Sequence, residues 1–179
     1  METFLGYTYV RANSQTDIPS ISSHGGSGQF VYNFNKWLGG VADLGAVHTG
    51  DIGGSPIDNT TANFLFGPRI SLWHPRLRPY FQFLFGGVYA TASTQVDILA
   101  ATPPVIPGQP IPARFGTQQT AFAMTAGGGL DIKINKYLMF RPMGLDYYLT
   151  RLQNLRTLGD NSQNNLRYTA GINFTFGAR

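Results

Sequence analysis

Residues 165–177 read NLRYTAGINFTFG, and this stretch sets the pattern for the whole chain. Polar or small residues alternate with apolar ones, and the apolar set is Leu166, Tyr168, Ala170, Ile172, Phe174 and Phe176. Strict alternation over this length indicates a β-strand with one apolar face and one polar face.

The same alternation recurs along the chain and predicts eight strands. We place them at residues 3–12, 26–35, 38–49, 61–72, 79–92, 120–134, 137–149 and 165–177. A chain of 179 residues suits one domain, so we expect residues 1–179 to form a single all-β unit.

The connections between the predicted strands alternate between long and short. The long ones are 13–25, 50–60, 93–119 and 150–164, and the short ones are 36–37, 73–78 and 135–136. Because alternate connections of an up-and-down sheet lie at opposite ends, all long loops fall at one end. Outer-membrane barrels have this asymmetry, with short periplasmic turns and longer extracellular loops.

The composition decides which face meets lipid. Charged residues make up only 12% of the chain, whereas a soluble domain has about 25%. The second face of the strands is rich in Gly, Thr, Ser and Asn, which suits the narrow lumen of an eight-stranded barrel. A soluble lipocalin-type ligand binder would instead need a charged exterior and a large apolar interior. We therefore predict an antiparallel, up-and-down transmembrane β-barrel with strands one and eight paired.

Charged residues on the second face are candidates for a polar network inside the lumen. We expect these to be Asp43, Arg69, Asp131, Arg141, Asp146 and Arg167. Arg141 and Asp146 differ in parity, and a bulge at Pro142 would let both face inward. Opposite charges in a narrow interior would pair, because unpaired buried charge is costly. Such a network could form a structural plug, or it could line a narrow, porin-like ion path.

Aromatic residues beside the short connections are candidates for the membrane interface. Asn35-Lys36-Trp37-Leu38 nearly repeats as Asn135-Lys136-Tyr137-Leu138, and Asn favours turns. We expect Trp37, Trp73 and Tyr137 to lie at headgroup depth, where amphipathic rings are favoured. The alternative is a common hairpin turn without an interfacial role.

Catalytic, cofactor and metal sites are not predicted. A lipid-modifying barrel enzyme needs a nucleophile beside a base, and no His-x-Ser element lies on any strand. His24, His48 and His74 are too dispersed for a recognisable metal site, and the parity of His48 predicts that it faces lipid. Gly127-Gly128-Gly129 lies inside a strand and opens no helix, so we read its glycines as sites of curvature or of close packing.

The cysteine count and the charge distribution exclude further classes of protein and of binding site. There are no cysteines, and therefore no disulfide scaffold or thiolate metal site. The net charge of +4 is scattered without a basic run, so nucleic-acid binding is not expected. The sequence opens without a signal-peptide pattern, and we expect the mature form of an exported protein.

The longest connection, 93–119, is rich in proline and apolar residues. Pro103, Pro104, Val105, Ile106 and Pro107 form its centre. It could be a stiff, polyproline-like excursion without a ligand. It could also be an extracellular recognition surface, since loops longer than about 15 residues are often functional.

The C-terminal pattern resembles a known family signal. Tyr168-x-x-x-Ile172-x-Phe174-x-Phe176, with Gly6-Tyr7-Thr8-Tyr9 in strand one, is similar to the OmpA-type (OmpA/OmpX-like) outer-membrane β-barrel proteins. The resemblance implies a bacterial outer-membrane location, contact with the lipid bilayer and lipopolysaccharide, and reading of the terminal aromatics by the outer-membrane insertion machinery. Family members end at the aromatic residue, whereas Gly177-Ala178-Arg179 follows Phe176 here. The resemblance favours a structural or surface-interaction role.

Overall fold

Eight strands follow one another along the chain. The computed structural model describes residues 1–13, 21–49, 57–99, 110–153 and 160–176. The strands are β1 (Glu2–Asn13), β2 (Ile21–Asn33), β3 (Leu38–Thr49), β4 (Ile57–Ser71), β5 (Leu77–Leu99), β6 (Pro110–Lys133), β7 (Leu138–Gln153) and β8 (Asp160–Thr175). No helix in these described ranges is long and apolar enough to cross a membrane.

The eight strands form a closed antiparallel barrel in which each pairs with its sequence neighbours and β1 pairs with β8. The predicted up-and-down topology and the predicted seam are therefore confirmed. The register of the barrel is staggered. A path that starts at Thr3 on β1 and moves from each residue to its partner on the next strand returns to β1 at Asn13, ten residues further along. A stagger of this kind accompanies a strand tilt of roughly 35–45°.

The two ends of the barrel differ. The end with the short connections 34–37, 72–76 and 134–137 is called the turn end, and the opposite end is called the loop end. The two similar turns have the same hydrogen bonds. The Asn35 side chain accepts from the backbone N–H of Trp37 and Leu38 at 3.0 and 2.7 Å, and Asn135 does the same for its own turn at 2.8 and 2.9 Å. Asn therefore closes each turn with its side chain.

The strands at the loop end are longer than the sequence pattern predicts. The β5–β6 ladder continues to the pair Leu99↔Pro110, so most of the predicted loop 93–119 is a paired hairpin, and that predicted boundary is wrong. Apolar and polar residues still alternate in this extension, as at Val96 and Asp97, but Pro110 and Pro112 on the facing segment are typical of a loop. Among the described residues, the pairing of β6 with β7 begins at Phe122↔Arg151. The predicted recognition centre, 103–107, lies outside the described residues.

The outer surface of the barrel carries the large apolar side chains, as predicted. Exposed members include Leu5, Phe30, Leu44, Phe66, Ile70, Phe81, Phe83, Phe85, Phe122, Leu145, Leu166 and Ile172. The interior is less uniform than predicted, because it also holds large side chains. A buried apolar cluster contains Val10, Val31, Val41, Val47, Leu65, Leu84, Val88, Ala123 and Tyr148.

Glycines on the inner face make room for one of the large interior side chains. A Cβ at Gly129 or Gly144 would lie 2.7 or 2.8 Å from the Tyr80 hydroxyl. The prediction that glycine lets a bulky neighbour pack across it is confirmed at Gly129, and Tyr80 itself is almost fully buried.

The predicted bulge at Pro142 is also present. The register of β7 against β8 shifts between Arg141 and Gly144, and its register against β6 shifts at the same place. Arg141 and Asp146 are consequently both buried despite their different parity.

Candidate functional site: the charged lumen

The six charged residues predicted for the lumen are all buried inside the barrel. Asp43, Arg69, Asp131, Arg141, Asp146 and Arg167 are each at most 2% exposed. They come from five strands, β3, β4, β6, β7 and β8. Alternation turns them inward, and the bulge in β7 lets Arg141 and Asp146 both do so. The structure brings them together in two clusters, one around Arg167 and one around Asp131.

The first cluster is centred on Arg167, whose guanidinium lies between two carboxylates. Its Nη1 and Nη2 donate to the two oxygens of Asp43 at 3.1 and 3.2 Å. Its Nε and Nη2 donate to Asp146 at 3.0 and 2.8 Å. Gln29 and Asn63 donate to Asp43 at 2.7 and 2.8 Å, so the carboxylate is well satisfied. Charge-assisted bonds of this kind are about twice as strong as neutral ones.

The second cluster is centred on Asp131, which two arginines share. Arg69 Nη2 and Arg141 Nε each lie 2.7 Å from an oxygen of Asp131. The Tyr80 ring lies beside both guanidinium groups, with its centroid 3.7 Å from Arg69 Cζ and 4.4 Å from Arg141 Cζ. Phe4 lies 4.1 Å from Arg141 Cζ in the same way. Aromatic faces attract cations, and they partly replace water around two like charges that share one carboxylate.

A third ion pair, between Glu2 and Arg78, was not predicted from the sequence. Both side chains are buried, and Asn33 donates to Glu2 at 2.6 Å. The predicted first strand begins after Glu2, and the predicted second short connection, 73–78, includes Arg78. The even or odd position along a strand could have predicted that both residues face inward. Glu2 is an even number of residues from the inward Thr8, and Arg78 is an even number of residues from the inward Gln82.

Amide side chains join the three groups into one network. Gln29 donates to Asp43 and accepts from Arg141 Nη1 at 2.8 Å, which connects the Arg167 and Asp131 clusters. Asn173 donates to Glu2 at 3.1 Å and to Asp131 at 3.4 Å, which connects Asp131 to the third pair. All eight strands contribute at least one member. Four arginines and four carboxylates are buried among the described residues, so their formal charges cancel.

The predicted interfacial and terminal aromatics lie on the outside of the barrel. Trp37, Trp73 and Tyr137 are all more than half exposed at the turn end, and Trp73 also stacks on Arg78 with 3.9 Å from Cζ to the ring. The side chains of the predicted insertion signal, Tyr168, Ile172, Phe174 and Phe176, are exposed or half-buried.

The histidines take part in local hydrogen bonds. His24 bonds to the Tyr7 hydroxyl, and His48 Nδ1 lies 3.1 Å from Thr60 Oγ1. His74 is exposed in a turn. Within the described ranges, no three His, Cys, Asp or Glu side chains are placed to hold a metal ion together.

Similarity to known proteins is visible in the fold and not in the sequence. No family model matches the chain, and no curated protein matches it at the sequence level. Solved structures with the same fold include the attachment invasion locus protein Ail of Yersinia pestis, at 16% identity and a TM-score of 0.63, covering 98% of both chains. Neisserial surface protein A is 12% identical with a TM-score of 0.67, and the match covers 98% of this chain and 96% of that one.

Two further structures extend the comparison. The N-terminal β-barrel domain of Pseudomonas aeruginosa OprF is 14% identical with a TM-score of 0.50, over 98% of this chain and 97% of that one. Ail is also solved in complex with the heparin analogue sucrose octasulfate, at 15% identity and a TM-score of 0.58 over 98% of both chains. The chain therefore has the fold of the OmpA-type, eight-stranded outer-membrane β-barrel proteins.

Proposed function

We propose that this chain is a bacterial outer-membrane barrel whose lumen is closed by its own side chains and whose specific contacts are made by loops displayed outside the cell. The fold, the apolar exterior and the aromatic residues at the turn end support a membrane location. A lipid-facing apolar band with aromatic girdles is typical of such barrels. Its surroundings would be the lipid bilayer and lipopolysaccharide.

The observation that carries the proposal is the electroneutral network across the lumen. An ion path needs water and exchangeable charge, whereas here each buried carboxylate is held by at least one arginine. Glu2, Asp43, Asp131 and Asp146 could each attract a passing cation only after losing such a partner. Breaking even one buried pair costs about 3–5 kcal/mol. The network thus favours a structural plug over a conducting pore.

The narrow channel remains the second candidate, since a rearranged network could open a path. Single-channel recording in planar bilayers separates the two. We expect no sustained open state for the wild type, and long-lived openings that scale with salt concentration would refute the plug. Arg167→Ala should show cation-selective events, because it leaves Asp43 and Asp146 unpaired, whereas Arg151→Ala on the exposed outer face should behave like the wild type.

The other two alternatives receive less support. A lipocalin-type binder needs an apolar cavity inside and charge outside, while here eight charged side chains are buried within the described part of the barrel. A lipid-modifying enzyme needs a nucleophile next to a base. The hydroxyl partners of His24 and His48 are Tyr7 and Thr60, and neither pair resembles an activated serine. A non-enzymatic role fits these side chains best.

Loop-mediated recognition is the finer part of the proposal. The segment 93–119, with its centre at Pro103, Pro104, Val105, Ile106 and Pro107, is the candidate surface for an extracellular partner. Since Ail is solved with sucrose octasulfate, this sulfated sugar is a rational first probe in a broader partner panel. Deleting residues 100–113 should abolish binding to any partner found while the barrel still shows heat-modifiable migration on gels. Unchanged binding across the panel would refute the role of this segment.

Assembly would use the terminal strand. We propose that the outer-membrane insertion machinery reads Tyr168, Ile172, Phe174 and Phe176, which lie on the outer surface of β8 and just beyond it. Replacing Phe174 and Phe176 together by alanine should slow insertion in cells while refolding in detergent stays near the wild-type rate. An equal slowing in both settings would point to barrel stability rather than recognition.

A further inference from the structure

Among the described residues, the exposed charged side chains at the turn end are all positive. Each short connection carries one exposed cation and the end of β6 carries another, and these four are Lys36, Arg76, Lys133 and Lys136. The chain has no lysine elsewhere. Glu2 and Asp131, which lie near the same strand ends, are buried in ion pairs with arginine and do not balance the exposed cations. The turn end is therefore a positively charged surface.

The cations lie next to side chains that suit a lipid interface. Phe34, Leu72 and Ile134 begin the three short connections, and they are 65%, 64% and 61% exposed. Lys136 follows Ile134 by two residues, and its Nζ lies 5.1 Å from the centroid of the Tyr137 ring. Exposed apolar side chains on such a barrel contact lipid, and amphipathic rings are favoured at headgroup depth. The cations are therefore at the depth of the lipid phosphates.

A cleft of about 330 Å³ lies between the 72–76 connection and the end of β6. The Lys133 backbone N–H donates to the Arg76 carbonyl at 2.9 Å, which holds the connection against β6. The cleft has both cationic and apolar walls, and its lining includes Trp73, His74, Leu77, Arg78, Lys133 and Met139. Arg78 is paired with Glu2 and stacks on Trp73. Lys133 therefore supplies the lysine charge of this cleft, beside an apolar wall.

We propose that the turn end binds anionic glycerophospholipids, with one phosphate held by Lys133 in this cleft. Lys36, Arg76 and Lys136 attract further headgroups around the barrel. Lysine commonly binds phosphate, and clusters of basic residues beside a bilayer attract anionic lipids. A soluble acidic protein is the alternative partner, but the apolar residues that flank the cations favour lipid. The proposal rests on the proposed function for its membrane location.

Tryptophan fluorescence reports on this end of the barrel alone, because Trp37 and Trp73 are the only tryptophans of the chain. The full chain is refolded in phosphatidylcholine vesicles that contain either brominated phosphatidylglycerol or brominated phosphatidylcholine, with the bromine close to the headgroup. The ratio of quenching gives the relative affinity for the two lipids. We expect phosphatidylglycerol to be preferred about 5- to 25-fold, since each cation near the surface contributes about fivefold and one lipid contacts one or two cations.

Substitutions separate the cleft from the rest of the surface. Lys133→Gln should lower the preference about fivefold, whereas Lys133→Arg, which keeps the charge, should retain it. The combined variant, which should lose the preference, is Lys36→Gln, Arg76→Gln, Lys133→Gln and Lys136→Gln. The matched control is Arg11→Gln with Arg151→Gln, two exposed cations at the loop end, and it should behave like the wild type. Heat-modifiable migration establishes that each variant is folded.

Three results would overturn the proposal, and they point to different errors. Equal quenching of the wild type by the two lipids, or a preference that survives in the combined variant, would show that the turn end has no anionic-lipid site. An absence of quenching by either lipid would refute the membrane location itself. Equal quenching together with binding of poly-glutamate to the protein in detergent, lost in the combined variant, would assign the surface to a soluble acidic partner.

Discussion

Replacing Arg167 by methionine tests whether the lumen network stabilises the barrel. Arg167 makes four charge-assisted hydrogen bonds of 2.8–3.2 Å to Asp43 and Asp146, and it is 1% exposed. Methionine keeps an unbranched apolar stem, which is two atoms shorter, and removes the charge. Two carboxylates would then be buried without their shared cation, while Gln29 would still donate to Asp43.

The expected cost follows from the burial of both partners. Removing one member of a buried ion pair destabilises a protein by about 3–5 kcal/mol. Because amide groups still donate to each carboxylate, we expect a value near the lower end, about 3 kcal/mol. The assay is reversible urea unfolding in lipid vesicles, with the free energy of unfolding extrapolated to zero denaturant.

Two further variants decide the interpretation. Arg151→Met, on the exposed face of β7, should change the free energy of unfolding by less than about 0.5 kcal/mol. The triple variant Arg167→Met with Asp43→Asn and Asp146→Asn should recover at least half of the loss, because the uncompensated charges are gone. A loss below about 1 kcal/mol for Arg167→Met, or no recovery in the triple variant, would refute the reasoning.

Three other changes test local features. Gly129→Ala should destabilise the barrel by about 1–3 kcal/mol in urea unfolding, since its Cβ would lie 2.6 Å from a backbone oxygen of β7. Gly26→Ala, whose Cβ would lie 3.6 Å from the backbone oxygen of Gly6, should be near neutral, and equal effects of the two substitutions would contradict the packing explanation. Asn135→Ala should cost about 1 kcal/mol because two backbone N–H groups lose their acceptor, and an unchanged unfolding midpoint would show that water replaces it. Trp37 and Trp73 are both exposed at the turn end. Brominated lipids should therefore quench their fluorescence most when the bromine is nearest the headgroups. Maximal quenching by bromine near the bilayer centre would exclude an interfacial position.

The barrel fold could be predicted from the sequence because its main signal, the alternation of apolar and polar residues, lies within each strand. Alternation is visible within single strands such as β8, and closure follows from the need to pair every edge in lipid. The inward position of Arg141 could also be predicted. Pro142 cannot donate a backbone hydrogen bond and therefore indicates the bulge that turns Arg141 inward. These features depend on neighbouring residues along the chain.

Other features depend on contacts that the linear sequence does not encode. The extension of the β5–β6 hairpin keeps apolar residues in alternation, such as Val96 and Ile98, but the prolines of the facing segment are typical of a loop and obscure the strand. Arg69 and Arg141 share one carboxylate beside Tyr80, and only the stagger of the barrel brings these strands into reach. The same holds for His24 and His48, which are register partners on β2 and β3.

The pairing of β1 with β8 has a consequence for how the protein folds. It joins residues 2–13 to residues 164–175, so the contacts with the greatest sequence separation form the last seam of the barrel. The free edge of β1 can pair only after β8 has been synthesised. Until then, β1 and the most recently formed strand are both unpaired edges and are prone to aggregation. Contacts between distant parts of a chain form slowly. Membrane entry is therefore expected to be a late, all-or-none event, and a chain that stops before β8 should accumulate as a species that needs a chaperone.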